Sequence, residues 1–189
     1  WILLISLYNR NPLLSSGADD LLILMLFWAL FLPLEKTYGI DRALSEDNPS
    51  VSESHIYHLG SVAILSQIIL VYVVALLLRG QGSTWWNGEA IYFTLHNDWF
   101  PTTLGRWLRP YQHVQTLLTY LVSGLELVGV LALCLPWRSA RYLGLISLGL
   151  VHMGVFAFLN VELFPLTSLL ALTLFLPVHF WQKLEVRKS

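Results

Sequence analysis

Charge is scarce in this chain of 189 residues. Asp, Glu, Lys and Arg together make up 12% of it, about half the share found in a soluble domain. The signs nearly cancel, with 11 Lys/Arg against 12 Asp/Glu, so no basic surface for nucleic acid is indicated. The one cysteine, Cys134, lies in an apolar run; it can form no internal disulfide and leaves the redox compartment open. No phosphate loop, dinucleotide fingerprint, Ser-His-Asp order or CxxC occurs. No lysine stands between Lys36 and Lys183. Disorder, a coiled coil and a disulfide scaffold are excluded by the same figures.

What the chain does have is hydrocarbon. Hydrophobic residues make up 56% of it and the mean hydropathy is +0.61. They gather in blocks of about 15 to 25 residues, the length scale of bilayer crossings. This predicts an all-α, multi-pass integral membrane helix bundle, with residues 1–189 as a single membrane domain. The opening run from Trp1 to Tyr8 is apolar, with no basic leader or small-residue cleavage site after it, so it is not a signal peptide. It reads as the end of a helix whose beginning is missing.

About five further spanning or partly spanning helices are expected. They run from Asp19 to Leu34, Leu59 to Leu78, Gln112 to Leu135, Tyr142 to Leu159 and Pro165 to Phe180. The first is short for the roughly 20 residues a crossing needs, and Asp19-Asp20 suits its N-terminus. Pro136 closes the third, and Pro165 fits the first turn of the fifth. Thr37 to Tyr57 is polar and acidic, a solvated loop. Gly80 to Tyr111 holds four tryptophans, residues that favour the membrane–water boundary. It is expected to lie in the interface or re-enter the membrane, packed on the bundle, with a short helix over Gly88 to His96. Counting Lys and Arg by side gives seven against four, and the positive-inside rule then puts the C-terminal tail in the cytoplasm.

Polar groups inside the apolar segments carry the functional signal. Glu126 lies near the middle of the third segment, where a carboxylate costs about 2.5–3.5 kcal/mol or more. It must therefore face protein or a cavity, and either pair or take up a proton. His152 lies midway along the fourth segment, and Gln67 and Tyr72 lie in the second. Glu126 and His152 sit on consecutive helices at similar distances from the connecting turn, which permits a buried Glu–His pair. Such a pair serves either to bind helices together or to handle protons or a ligand; both readings stand. His55 and His58, with Glu53 nearby, are a weak metal candidate lacking a third fixed ligand, and no metal site is assigned. Ala140 and Gly144 allow close helix approach.

Several patches carry a family resemblance. They are Asn9-Arg10-Asn11-Pro12 with Gly17-Ala18-Asp19, the aromatic-rich run from Leu26 to Leu34, and Gln67-Ile68 with Val71-Tyr72. Others are Trp85-Trp86-Asn87-Gly88-Glu89-Ala90, Glu126, and His152 followed by Phe164-Pro165. In order and spacing the chain resembles the membrane domain shared by vitamin K-dependent γ-carboxylases and the bacterial HTTM (horizontally transferred transmembrane) proteins. The resemblance implies about two further helices before Trp1. It also implies a quinol chemistry, in which oxidation by O2 drives abstraction of a weakly acidic proton and then carboxylation of Glu side chains.

In those enzymes the base is a lysine shortly before the Trp-x-x-Gly patch, where desolvation can leave the amine neutral. The matching position here is Arg79, and a guanidinium does not deprotonate in proteins. Arg79 is expected instead to bind an anion, a lipid headgroup or Glu89. His152 matches a histidine of the carboxylases and Glu126 an acidic position of the wider family. The lumenal β-rich part of those enzymes has no counterpart in these 189 residues. Three functions follow. One is a protein holding an isoprenoid quinone or similar lipid, with Gln67, Tyr72, Arg79, Trp85, Glu126 and His152 lining the site and Glu126 and His152 as catalytic candidates. Another is a non-catalytic scaffold subunit of a larger membrane complex, such as one of electron transfer. The last is a carboxylase with a relocated base. The expected partners are membrane lipid and other subunits.

Overall fold

Among the described residues, three helices have the length and apolarity that a bilayer crossing demands. A computed structural model describes residues 1–10, 16–32 and 59–181. The polar loop Thr37 to Tyr57, the pair His55 and His58 with Glu53, and the basic tail from Lys183 lie outside the described residues. Nine helices lie wholly within the described residues, and a further helical stretch opens at 178–181. The nine are α1 (Ile2–Arg10), α2 (Gly17–Ala29), α3 (Leu59–Gly80), α4 (Ser83–Trp86), α5 (Ala90–His96), α6 (Thr103–Trp107), α7 (Gln112–Leu133), α8 (Arg138–Phe158) and α9 (Phe164–Thr173). Among the described residues there are no strands beyond one isolated bridge between Pro101 and Leu159. The helical membrane bundle expected from composition is therefore the observed fold.

The candidate crossings are α3, α7 and α8, of 22, 22 and 21 residues. At about 1.5 Å per residue each reaches the roughly 30 Å of a hydrocarbon core. The other two apolar segments are shorter helices, and for one reason. After Ala29 the N–H groups of residues 30–32 bond three residues back rather than four, and Pro33 follows. After Thr173 the same tightening runs through residues 174–176 ahead of Pro177. Each helix winds down before a residue that has no N–H to continue it. Helix α8 starts four residues earlier than its apolar run, because Arg138 to Arg141 form a polar first turn that hydropathy overlooks.

The α7–α8 hairpin is the spine of the fold. Gly129 sits against Leu148, and Leu133 sits against Gly144, so the helices run antiparallel. The same register brings Glu126 level with Val151 and His152, and Thr119 level with Phe158. Helix α7 thus extends about two turns beyond the end of α8, and the Trp-rich segment fills that step. Gly105 is pressed on the Phe158 carbonyl, Ile91 N–H donates to Thr119 Oγ1 at 3.2 Å, and Gly88 packs on Thr116 and Tyr120 with φ +73°. Fully buried Gln115 donates to the Leu108 and Arg109 carbonyls at 2.7 and 2.9 Å. Helix α3 packs on α7 and α2, and α9 packs on α8 and α2. Leu21, Ile64, Ile68, Val130, Leu148 and Leu172 meet in the shared core.

The seam sets a stability test. A Cβ on Gly144 would lie 2.8 Å from Leu133 Cγ and 2.9 Å from the Gly129 carbonyl oxygen, whereas one on Gly149 meets nothing within 4 Å. Gly144→Val is expected to destabilise the protein by about 1–3 kcal/mol through overpacking. Gly149→Ala should be neutral or stabilise it by up to about 1 kcal/mol through helix propensity. Unfolding of the two variants in detergent checks both signs.

Candidate functional site

A cavity of about 480 Å³ lies inside the bundle. Its walls come from α2, α3, α4, α5, α7, α8 and α9, so neither long hairpin nor short helices alone enclose it. Tyr72, Arg79, Trp85, Glu126 and His152 all line it. Apolar side chains make up most of the remaining wall. Asp20 and Ser168 add further polar groups.

Helix α3 supplies one member of each buried polar pair. Its buried residues Gly60, Ile64, Ile68 and Tyr72 recur every four positions, and Arg79 follows Tyr72 by two turns on much the same face. Tyr72 Oη lies 2.7 Å from His152 Nε2. Arg79 Nη1 donates to Glu126 Oε2 in an ion pair, and its guanidinium stacks 4.6 Å over the Trp85 ring. The direct Glu126–His152 pair expected from the sequence is therefore corrected. The two side chains are level on their hairpin, as the short turn required, but each reaches across to α3. Arg79 likewise turns to Glu126 and not to Glu89, which is exposed.

Burial shows why pairing was obligatory. Glu126 is 4% exposed and His152 3%, and neither reaches bulk solvent. His152 is also held by the edge-on ring of Phe164, 5.7 Å away. Its remaining nitrogen, Nδ1, is buried and has no hydrogen-bond partner. Because the tautomer adjusts to Tyr72, that nitrogen can offer either a donor or an acceptor. Because that atom is itself shielded, His152 borders the cavity through other atoms of its ring.

The remaining site expectations divide. Trp85 is in place, whereas Gln67 is half-buried on α3 and is not part of this wall. It sits one position before buried Ile68, turned by about 100° from that residue. Sequence reasoning missed Asp20 and Ser168. Asp20 reads as a residue of the first helical turn, and Ser16 and Asp19 do cap α2, with the Ser16 N–H donating to Asp19 Oδ2 at 2.8 Å. Asp20 nevertheless lines the cavity and accepts from Tyr8 Oη at 2.8 Å. Nothing in the composition of α9 marks Ser168, which is buried beside Thr167. Among the described residues no group of three potential metal ligands occurs.

Apolar crossings around a largely apolar cavity with buried polar pairs on its wall define a helical membrane protein with an interior site. The sequence matches the HTTM domain over residues 19–181, so the chain belongs to the HTTM-domain family. No curated protein matches it, and no solved structure does either.

The ion pair can be weighed directly. Removing one partner leaves the other charge buried, while removing both leaves an apolar contact. In a double-mutant cycle of Arg79→Met and Glu126→Leu, each single change should destabilise more than the pair together. The expected coupling is about 1–3 kcal/mol, measured by equilibrium unfolding in detergent. Additive effects would mean that the two side chains are independently satisfied.

Proposed function

We propose that this HTTM protein binds an isoprenoid quinone, or a membrane lipid of similar shape and polarity, in the cavity bordered by Tyr72, Arg79, Trp85, Glu126 and His152. The observation that carries the reading is a largely apolar cavity whose wall holds the Tyr72–His152 hydrogen bond beside the Arg79–Glu126 ion pair. With Nε2–H donating to Tyr72 Oη, the Tyr72 hydroxyl is free to donate to a quinone carbonyl. With Tyr72 donating to Nε2 instead, Tyr72 Oη accepts from a quinol hydroxyl. One pair can thus serve both redox states of the ligand by moving a proton between ring nitrogens. Trp85 and Phe164 supply aromatic surface for a flat ring. Arg79 stays charged and paired, so it orients polar groups and abstracts no proton. On the Lys/Arg count we place the C-terminal tail in the cytoplasm.

A second reading has its own observation. Leu163, Leu166, Leu170 and Leu174 form an exposed apolar stripe along α9, a helix of 10 residues and too short to cross. A scaffold subunit would bury that stripe against another chain. Native mass spectrometry of protein extracted from its own membrane tests this, and a lone monomer counts against it.

For the ligand reading, the protein in lipid nanodiscs is titrated with a long-tailed quinone and binding is read as quenching of tryptophan fluorescence. Loss of one buried hydrogen bond is worth about tenfold in affinity. Tyr72→Phe is therefore expected to weaken binding by about tenfold or more, and His152→Phe by somewhat less. Binding unchanged in Tyr72→Phe, or undetectable in the unaltered protein, would overturn the proposal.

A further inference from the structure

The polar cavity has an apolar neighbour. A second hollow of about 290 Å³ shares Ile91, Thr94, Val122, Val151, Val155 and Leu159 with it. Thr94 is the one hydroxyl-bearing residue on its wall, and that hydroxyl is already spent on the Ala90 carbonyl at 2.8 Å. A hollow so nearly free of polar groups gives water little to bond and favours an apolar occupant. Part of the wall is Gly154, where an added Cβ meets nothing within 4 Å. On its outer side stand Leu121 and Leu150, 49% and 57% exposed on α7 and α8. These are the faces that would meet lipid chains.

We infer that the two hollows form one site for a long-chain amphiphile. The head group lies beside Tyr72 and His152, and the tail runs out past Gly154 between α7 and α8 into the bilayer. This rests on the reading of the polar cavity as a quinone or lipid site and adds the path of the tail. The ligand class is thereby narrowed: a membrane lipid with a flexible apolar chain, arriving sideways from the bilayer, rather than a small water-soluble molecule. Lipid is as apolar as the hollow, so the tail gains no transfer energy by moving into it. What the hollow supplies is room for a chain whose other end is fixed by hydrogen bonds. Closing the room should therefore act on tailed ligands alone.

The test fills the hollow with Gly154→Phe and uses Gly149→Phe as its control. Gly149 lies on the same helix with the same open space, and lines neither hollow. Both changes replace a helical glycine with a better helix former, so neither should impair folding by propensity. Each protein, in nanodiscs, is titrated with two quinones sharing one ring, the first carrying a long isoprenoid tail and the second only methyl groups. Gly154→Phe is expected to weaken the tailed quinone by about tenfold or more and to leave the tail-less one within about twofold. Gly149→Phe should match the unaltered protein with both. Equal binding of the tailed quinone to Gly154→Phe and the unaltered protein overturns the tail path while the head site stands. Equal weakening of both quinones by Gly154→Phe also overturns it, since the hollow would then hold the head. If the unaltered protein binds neither, both readings fall together.

Discussion

Within a hydrocarbon layer no water is available to satisfy a carboxylate, a guanidinium or an imidazole, so each must find its partner inside the protein. That constraint organises this bundle. Glu126 on α7 and His152 on α8 could have met each other, since their helices bring them to one level. Both instead reach to α3, where Arg79 and Tyr72 stand on one face. An apolar α3 would leave two buried polar groups without partners, and so its place in the bundle is set by these two contacts as much as by packing.

Close approach of α7 and α8 complements these contacts. Gly129 and Gly144 let the two backbones come together where lipid supplies no hydrophobic drive for association. Their tight seam at one end, and the two-turn overhang of α7 at the other, leave a step that α4, α5 and α6 occupy. The tryptophan-rich segment therefore does more than anchor the bundle at the boundary. Trp85, Ile91 and Thr94 form part of the cavity wall.

The fold was legible in the sequence where length and apolarity decide it. The runs over α3 and α7 gave their helices to within two residues, because charge or proline marks their ends. The first and fifth segments were drawn too long, since leucine-rich sequence continues past Ala29 and Thr173 although the backbone tightens ahead of a proline. The polar lining of the cavity was legible in its members and not in its pairings. Buried Glu126, His152, Tyr72 and Arg79 stand out in apolar runs, whereas which pairs with which depends on the rotation of α3 about its axis. Gln67 shows the cost of that missing angle: it shares the helix and lies off the wall. Asp20 and Ser168 were hidden because a residue at a helix start and a small hydroxyl in an apolar helix each have ordinary local explanations.

The spacing of Tyr72 and Arg79 has a further consequence. Seven residues span almost two complete turns, so the two side chains are locked in phase, and both contacts hold at a single azimuth of the helix. Deleting one residue from 73 to 78 would leave α3 just as greasy and still long enough to cross. It would nonetheless swing Arg79 by about 100° relative to Tyr72, and one of the two partners would be stranded. The interval between them is therefore fixed in number while free in composition, a constraint that insertions and deletions feel and hydropathy does not register.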